Sequence, residues 1–178
     1  MILFTTARTV VREMDASYLD HLVNLDSDPE VMRYINGGKP TSRNRMAEKL
    51  ADWTAHYRAA RPGGFWAIHL AYSDRFVGWV HLKPDWADRE LDELGYRLIR
   101  EVWGSGIATE VACGMIDHAL HEWGRESVVA RTLAANRASR RVMEKAGMRF
   151  EFSFTYPPEV LPGWPVERRA AVRYRIDT

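Results

Sequence analysis

Apolar residues recur every third or fourth position in some stretches of the chain and every second position in others. That change of period marks the elements. Met46, Leu50, Trp53 and Tyr57 step at helical spacing and predict a helix over 42–60. The clearest helix spans 106–123. There Ile107, Val111, Met115, Ala119 and Trp123 form one ladder, and Ala108, Ala112, Ile116 and Leu120 form its neighbour. Together they make the broad stripe of a helix packed on a sheet. Two short helices, 17–25 and 29–34, are each entered through an Asp or Ser able to cap it. Strands are expected at 5–14, 65–71, 76–82, 91–99 and 127–133, where β-branched and aromatic residues gather.

Phe150, Phe152, Phe154 and Tyr156 alternate with polar residues, which predicts a half-buried strand. Ala170, Val172, Tyr174 and Ile176 alternate with arginines and predict its partner. Turn chemistry separates these runs: NGGKP at 36–40, RPGG at 61–64, Ser73-Asp74 between two strands, and KPDW at 83–86 as a break. Gly124 closes the long helix, and Asn136 caps a further one that reaches Ala146 and is closed by Gly147. The order βααα–βββ–αβ–αββ, with no repeat or linker, describes one mixed α/β (α+β) domain over 1–178.

Composition narrows the function classes. The 178 residues are 46% hydrophobic and 28% charged with a net charge of +1, so no global field argues for nucleic acid or an anionic membrane. One cysteine, Cys113, excludes an intramolecular disulfide and fits a cytoplasmic setting. It lacks an evident base and reads as structural. Cys/His metal spacing is absent, so no metal is expected. The first residues, MILFTTARTVVREMDA, lack a basic start and a long apolar run, and read as a strand instead of a signal peptide. No apolar run approaches the length of a membrane span.

The stretch REVWGSGIATE, 100–110, sets Gly104 and Gly106 where the long helix begins. Glycines ease a tight turn, and they also let an anion approach bare N–H groups at the positive end of a helix. No Gly-Lys-Ser/Thr follows, so this is not a P-loop. Thr109 occupies the third glycine position of a dinucleotide fingerprint, which disfavours that reading too.

A second segment, NRASRRVMEKAGMRFE at 136–151, resembles the N-x-x-S-x-x-v-x-E-K-x-G-F run of the GNAT family of N-acetyltransferases. ELGYRLIREVWGSGIATE resembles the same family's e-l-G-y-w-l-x-x-x-w-G-x-G-x-a-t-E. The likeness is to the branch that acetylates ribosomal-protein N-terminal alanine and serine. It implies a GNAT-like fold: a central mixed, mostly antiparallel sheet with helices on both faces. It also implies acetyl-CoA as donor and direct transfer, in a ternary complex, to a primary amine on a protein N-terminus or a small molecule. Monomer and homodimer both stay open.

The resemblance assigns the pyrophosphate to the loop Trp103, Gly104, Ser105, Gly106, Ile107 and Ala108, with Arg100 beside it. Pantetheine would pair with the strand backbone at Leu98 and Ile99, and a backbone N–H near Ile99 would stabilise the oxyanion. Asn136 matches a pantetheine contact, a role compatible with capping. Ser139, one turn on, comes near the thioester and is the candidate acid.

Arg137, Arg140, Arg141 and Lys145 form a basic ridge that is either a solvated face or, through Arg140, a contact to the CoA phosphates. Candidate bases are Glu93, otherwise a surface strand carboxylate, and Glu159 in the proline-rich loop. His81 is a third, titrating near neutrality. The acceptor cleft is expected among the first helices and the loops 83–90 and 157–165, with Trp53, Trp86 and Trp164 as aromatic walls.

Two departures stand out. Glu101 occupies a position where relatives carry Gln or Arg, and its carboxylate is expected to point away from the phosphates. Met143 occupies the place of the usual tyrosine acid. A CoA-binding regulator without chemistry is therefore the alternative, and a flavin- or nicotinamide-binding protein is a more distant one.

Overall fold

The apolar ladders of the long helix need a surface to bury against, and the strands supply it. In the computed structural model, which describes residues 1–55, 57 and 63–178, eight strands form one sheet. In chain order they are β1 (Ile2–Thr5), β2 (Thr9–Glu13), β3 (Gly64–Leu70), β4 (Phe76–Pro84), β5 (Asp92–Leu98), β6 (Ser127–Leu133), β7 (Arg149–Thr155) and β8 (Ala170–Asp177). The helices are α1 (Leu19–Leu25), α2 (Pro29–Asn36), α3 (Arg43–Ala55), α4 (Ile107–Asp117) and α5 (Arg137–Lys145). Strand order is β1-β2-β3-β4-β5-β6-β8-β7, antiparallel throughout except for β5 against β6. No described helix is long and apolar enough to cross a membrane.

Helices cover both faces, as expected. Ile107, Val111, Met115 and Ile116 of α4 pack on Ile68, Val80, Leu82, Leu94 and Val128, with Met143 of α5 in the same core. On the other face Leu22, Leu25, Met46 and Leu50 pack on Ala67, Phe76 and Trp79. Alternation along β4 and β5 therefore sends Leu94, Tyr96 and Leu98 to the α4 side. It sends Trp79, His81 and Lys83, with Glu93, Gly95 and Arg97, to the side of α1 and α3.

The parallel ladder is short. Asp92 pairs with Val128 and Glu93 with Val129, and the register goes no further. Beyond that point β5 and β6 diverge. Buried ion pairs brace the closed end: Arg125 Nε meets Asp92 Oδ2 at 2.6 Å, and Arg131 of β6 pairs with fully buried Asp85 after β4. A third joins the far end of β5 to the helices, where Arg97 pairs with buried Asp26 just past α1. Asp26 also accepts from Thr41 Oγ1 at 2.6 Å.

Several expectations are corrected. The strand expected at 5–14 is a hairpin, β1 to β2, turning at Thr6–Arg8 without Gly or Pro. A tertiary contact makes that turn: Thr6 Oγ1, Arg8 N and Arg8 Nε all donate to Glu110 of α4. The expected break at 83–86 begins later, because β4 continues through Lys83 and Pro84 in register with Glu93 and Asp92. The helix expected over 42–60 is described as far as Ala55. Positions 56 and 58–62 of that helix and its closing turn lie outside the described residues. The long helix is regular to Asp117 and ends in a wider turn, with Trp123 N donating to His118 O at 3.1 Å.

The last two strands pair, but β7 is the sheet edge and is not half-buried. Phe150 and Phe152 are 55% and 42% exposed. A register shift between them disrupts the alternation, and Phe152 and Phe154 lie against the guanidinium groups of Arg173 and Arg131.

Asp26→Ala would leave Arg97 buried without its carboxylate. It is expected to cost about 3–5 kcal/mol, read as a lower urea midpoint.

Candidate active site

Where β5 and β6 part, the sheet opens a cleft with a cavity on either side. The first encloses about 450 Å³. Leu98, Trp103, Gly104, Gly106 and Ala108 border it, as do Asn136 and Ser139 across the gap. The backbone explains the loop. Gly104 and Gly106 hold φ of +72° and +87°, a left-handed conformation that disfavours side chains. Gly106 caps α4 with no side-chain acceptor on the first N–H groups, so these donors face outward at the positive end of the helix.

The loop is held from behind. Arg8 Nη1 donates to Ser105 O at 2.9 Å while its Nε meets Glu110 at 2.6 Å. Sequence reasoning gave Arg8 no role, since the contact crosses about a hundred positions of chain.

The cleft-facing edge of β5 carries free backbone. Ile99 N–H donates to Val77 O at 2.9 Å, so it is committed to β4 and not available to an oxyanion. Strand alternation turns Leu98 the other way, and Trp103 Nε1 donates to Leu98 O at 2.9 Å. The N–H that this alternation leaves toward the cleft is that of Leu98.

Ile99, Arg100, Ser105, Ile107 and Arg140 do not border the cavity. Arg100 is drawn to Asp28 at 3.2 Å, and Glu101 pairs with Arg75 at 3.6 Å, directed away as expected. Arg140 turns onto the sheet, toward Tyr174 Oη at 3.3 Å and Ala134 O at 3.4 Å. Its neighbours Arg141 and Lys145 border the cavity instead. Asn136 does cap α5, its Oδ1 accepting from Ser139 N at 3.2 Å.

Met143 is a buried core residue, so the usual tyrosine position is filled by packing. A phenol reaches Ser139 from β5: Tyr96 Oη lies 3.2 Å from Ser139 Oγ and 3.1 Å from Ser139 O. Burial pushes the Tyr96 phenol up to about 12, against a smaller downward pull from Ser139. The residue was visible in ELGYRL as a strand tyrosine, but nothing in the chain marked its partner.

The second cavity, about 400 Å³, has Glu93, Lys83, His81, Tyr156 and Trp86 on its walls. Tyr34, Ile35 and Asn136 border both cavities, so the two meet there. Glu93 is largely buried and accepts from Lys83 Nζ at 3.1 Å. Burial, then the nearby Glu93 carboxylate, raises the pKa of Tyr156. His81 is held neutral: burial, then Lys83 and Arg97, push its pKa well below the usual range. Its two ring nitrogens are shielded from solvent and without hydrogen-bond partners among the described residues, which removes it as a base in this arrangement.

Glu159 is exposed and borders neither cavity, although Val160 and Leu161 beside it do. Of the three expected tryptophan walls only Trp86 is present. Trp53 stacks on Phe65 in the core at 4.0 Å, and Trp164 lies over Gly37. Tyr34, Ile35 and Tyr156 take their places.

Comparison with known proteins agrees with this architecture. A family model described as an acetyltransferase (GNAT) domain matches residues 8–149. The chain belongs to the GNAT acetyltransferase family. It is 30% identical to an FsC-acetyl coenzyme A-N(2)-transacetylase of Aspergillus fumigatus over 96% of this chain and 74% of that one. A GNAT-family acetyltransferase from Bacillus anthracis superposes with a TM-score of 0.81 at 20% identity, covering 99% and 98% of the two chains. RimL, a ribosomal L7/L12 α-N-protein acetyltransferase solved with coenzyme A, gives 0.81 at 14% identity over 99% and 98%. At these identities the solved structures establish the shared fold.

A Cβ on Gly95 would lie 2.5 Å from His81 Nε2. Gly95→Ala is expected to destabilise by about 1–3 kcal/mol through overpacking, and His81→Ala should largely relieve that cost in a double variant, measured by urea unfolding.

Proposed function

We propose that this GNAT-family protein is an acetyl-CoA-dependent N-acetyltransferase that moves the acetyl group directly to a primary amine. The donor occupies the first cavity and the amine the second. One observation carries this reading: two cavities meet at the parting of β5 and β6, one bounded by an uncapped helix N-terminus and the other by a buried carboxylate.

The donor supplies an acetyl thioester, and this chain's residues do the rest. The N–H groups opening α4 receive the pyrophosphate, with Gly104 and Gly106 admitting it to the backbone. Arg141 and Lys145 on the rim add positive charge. The Leu98 N–H on the free edge of β5 is left to donate to a carbonyl of the donor, and Asn136 approaches the pantetheine arm from α5. Its Oδ1 already accepts from Ser139, which leaves its amide hydrogens to donate.

In the second cavity Glu93 is the base. An amine attacks only when neutral, and α-amines titrate near 8 while lysine-type amines titrate near 10. Glu93 takes the proton released as the nitrogen bonds to carbon, and the ion pair with Lys83 holds the carboxylate in place. Ser139 faces the sulfur side. Holding both reactants in register supplies much of the rate.

The Aspergillus relative's name denotes transfer to an N(2) nitrogen, and RimL's denotes a protein N-terminus, so both acceptor classes belong in the test. CoA thiol release should depend on an added acceptor in a panel of peptides with free Ala or Ser N-termini and small primary amines. No acceptor-dependent release across both sets would overturn the reading. Glu93→Gln is expected to lower kcat by about 10²–10⁴-fold with little change in acetyl-CoA affinity. Gly106→Val should abolish acetyl-CoA binding measured by calorimetry in a protein that still melts cooperatively.

A further inference from the structure

The reading above puts Ser139 beside the thioester sulfur, and the following rests on it. A serine hydroxyl rotates freely unless a neighbour fixes it, and a donor that must first be oriented contributes less to a transition state. Ser139 has such a neighbour. Tyr96 projects from β5 on the α4 side, and its Oη lies within hydrogen-bond distance of both oxygens of Ser139, 3.1 Å from O and 3.2 Å from Oγ. Both residues border the first cavity. Tyr96 and Ser139 lie on opposite sides of the cleft, one on the strand and one on the first turn of α5, so their contact bridges the opening.

We propose that Tyr96 is a positioning residue: its phenol proton is shared between Ser139 O and Oγ, which turns the Ser139 hydroxyl hydrogen toward the leaving sulfur. As the nitrogen–carbon bond forms and the carbon–sulfur bond breaks, the electron pair goes to sulfur and the amine proton goes to Glu93. The oriented Ser139 hydroxyl donates a hydrogen bond to the thiolate. Full protonation through this pair is not required and is not favoured. The Tyr96 phenol sits at about 12. A phenol raised in this way is a weaker acid than an ordinary thiol, so moving its proton onto the thiolate is uphill. Donation of a hydrogen bond carries no such cost.

The test uses the intact protein with free CoA as probe. The pH at which the bound CoA thiol is half-maximally alkylated by iodoacetamide is read by mass spectrometry of the CoA. The unsubstituted protein should lower that thiol's pKa below that of free CoA. Tyr96→Phe should raise it by about half a unit to one unit, a three- to tenfold loss of thiolate, with CoA affinity at low pH unchanged within about twofold. With an active acceptor, Tyr96→Phe should lower kcat about tenfold while KM for acetyl-CoA holds.

In a Ser139→Ala background the same substitution should change neither quantity, because the effect runs through Ser139. Additive losses, an unchanged thiol pKa in Tyr96→Phe, or a lowered one from a Ser139 released to donate would each overturn the proposal. Should Tyr96→Phe fail to fold, Ser139→Ala alone must raise the thiol pKa by the same amount or the proposal fails. If CoA does not bind the unsubstituted protein, the donor reading itself falls. If CoA binds with an ordinary thiol pKa, only the role of Tyr96 and Ser139 falls.

Discussion

Everything at the site depends on β5 and β6 staying paired at one end and apart at the other. A parallel pair held by two residue positions is a weak hinge by itself. Ion pairs on buried carboxylates fix it, Asp92 with the partly exposed Arg125 and Asp85 with the buried Arg131. Such pairs contribute little net stability over an apolar alternative, since desolvation offsets much of the attraction. What they supply here is direction: a carboxylate without its arginine is expensive, so the strands are held to one geometry. Arg97 and Asp26 do the same between β5 and the helices on the opposite face.

Once the strands diverge, ordinary backbone physics makes the cleft polar along one wall. Half of the β5 backbone is satisfied by β4, as the Ile99 to Val77 bond illustrates, and the other half turns into the opening. Gly106 begins α4 beside it with a left-handed φ and no capping side chain. Backbone donors on a strand edge and at a helix end thus converge on one wall of the cavity. The departure at Glu101 and the expected phosphate-side residue Arg100 are both turned into surface ion pairs, and Arg141 and Lys145 border the space instead.

Side chains of β5 reach both cavities. Tyr96 and Leu98, on the α4 side, border the first. Of those pointing toward α1 and α3, Glu93 borders the second and Arg97 the first. A single strand can serve both because successive side chains alternate. Gly95 between them is small for want of space, since the His81 ring lies against it.

Local pattern alone determined most of the elements: the helical ladders of α3 and α4, the cap at Asn136, the paired strands β7 and β8, and the glycine turn ahead of α4. Those features rest on interactions within a few residues, which a linear sequence displays. The motif residues Leu98, Trp103, Gly104, Gly106, Asn136 and Ser139 were legible through the family resemblance, and the structure brings them to one cavity. Tertiary structure decided what local pattern cannot. The turn at Thr6–Arg8 exists because Glu110 of α4 captures it. Phe150 and Phe152 are exposed because β7 ends the sheet, and alternation does not say which strand is the edge. Arg140 and Arg141 differ by one position, yet one lies on β8 and the other on the cavity. The pairing of Tyr96 with Ser139 spans 43 positions, and only a sheet that opens beside a helix brings such distant hydroxyls together.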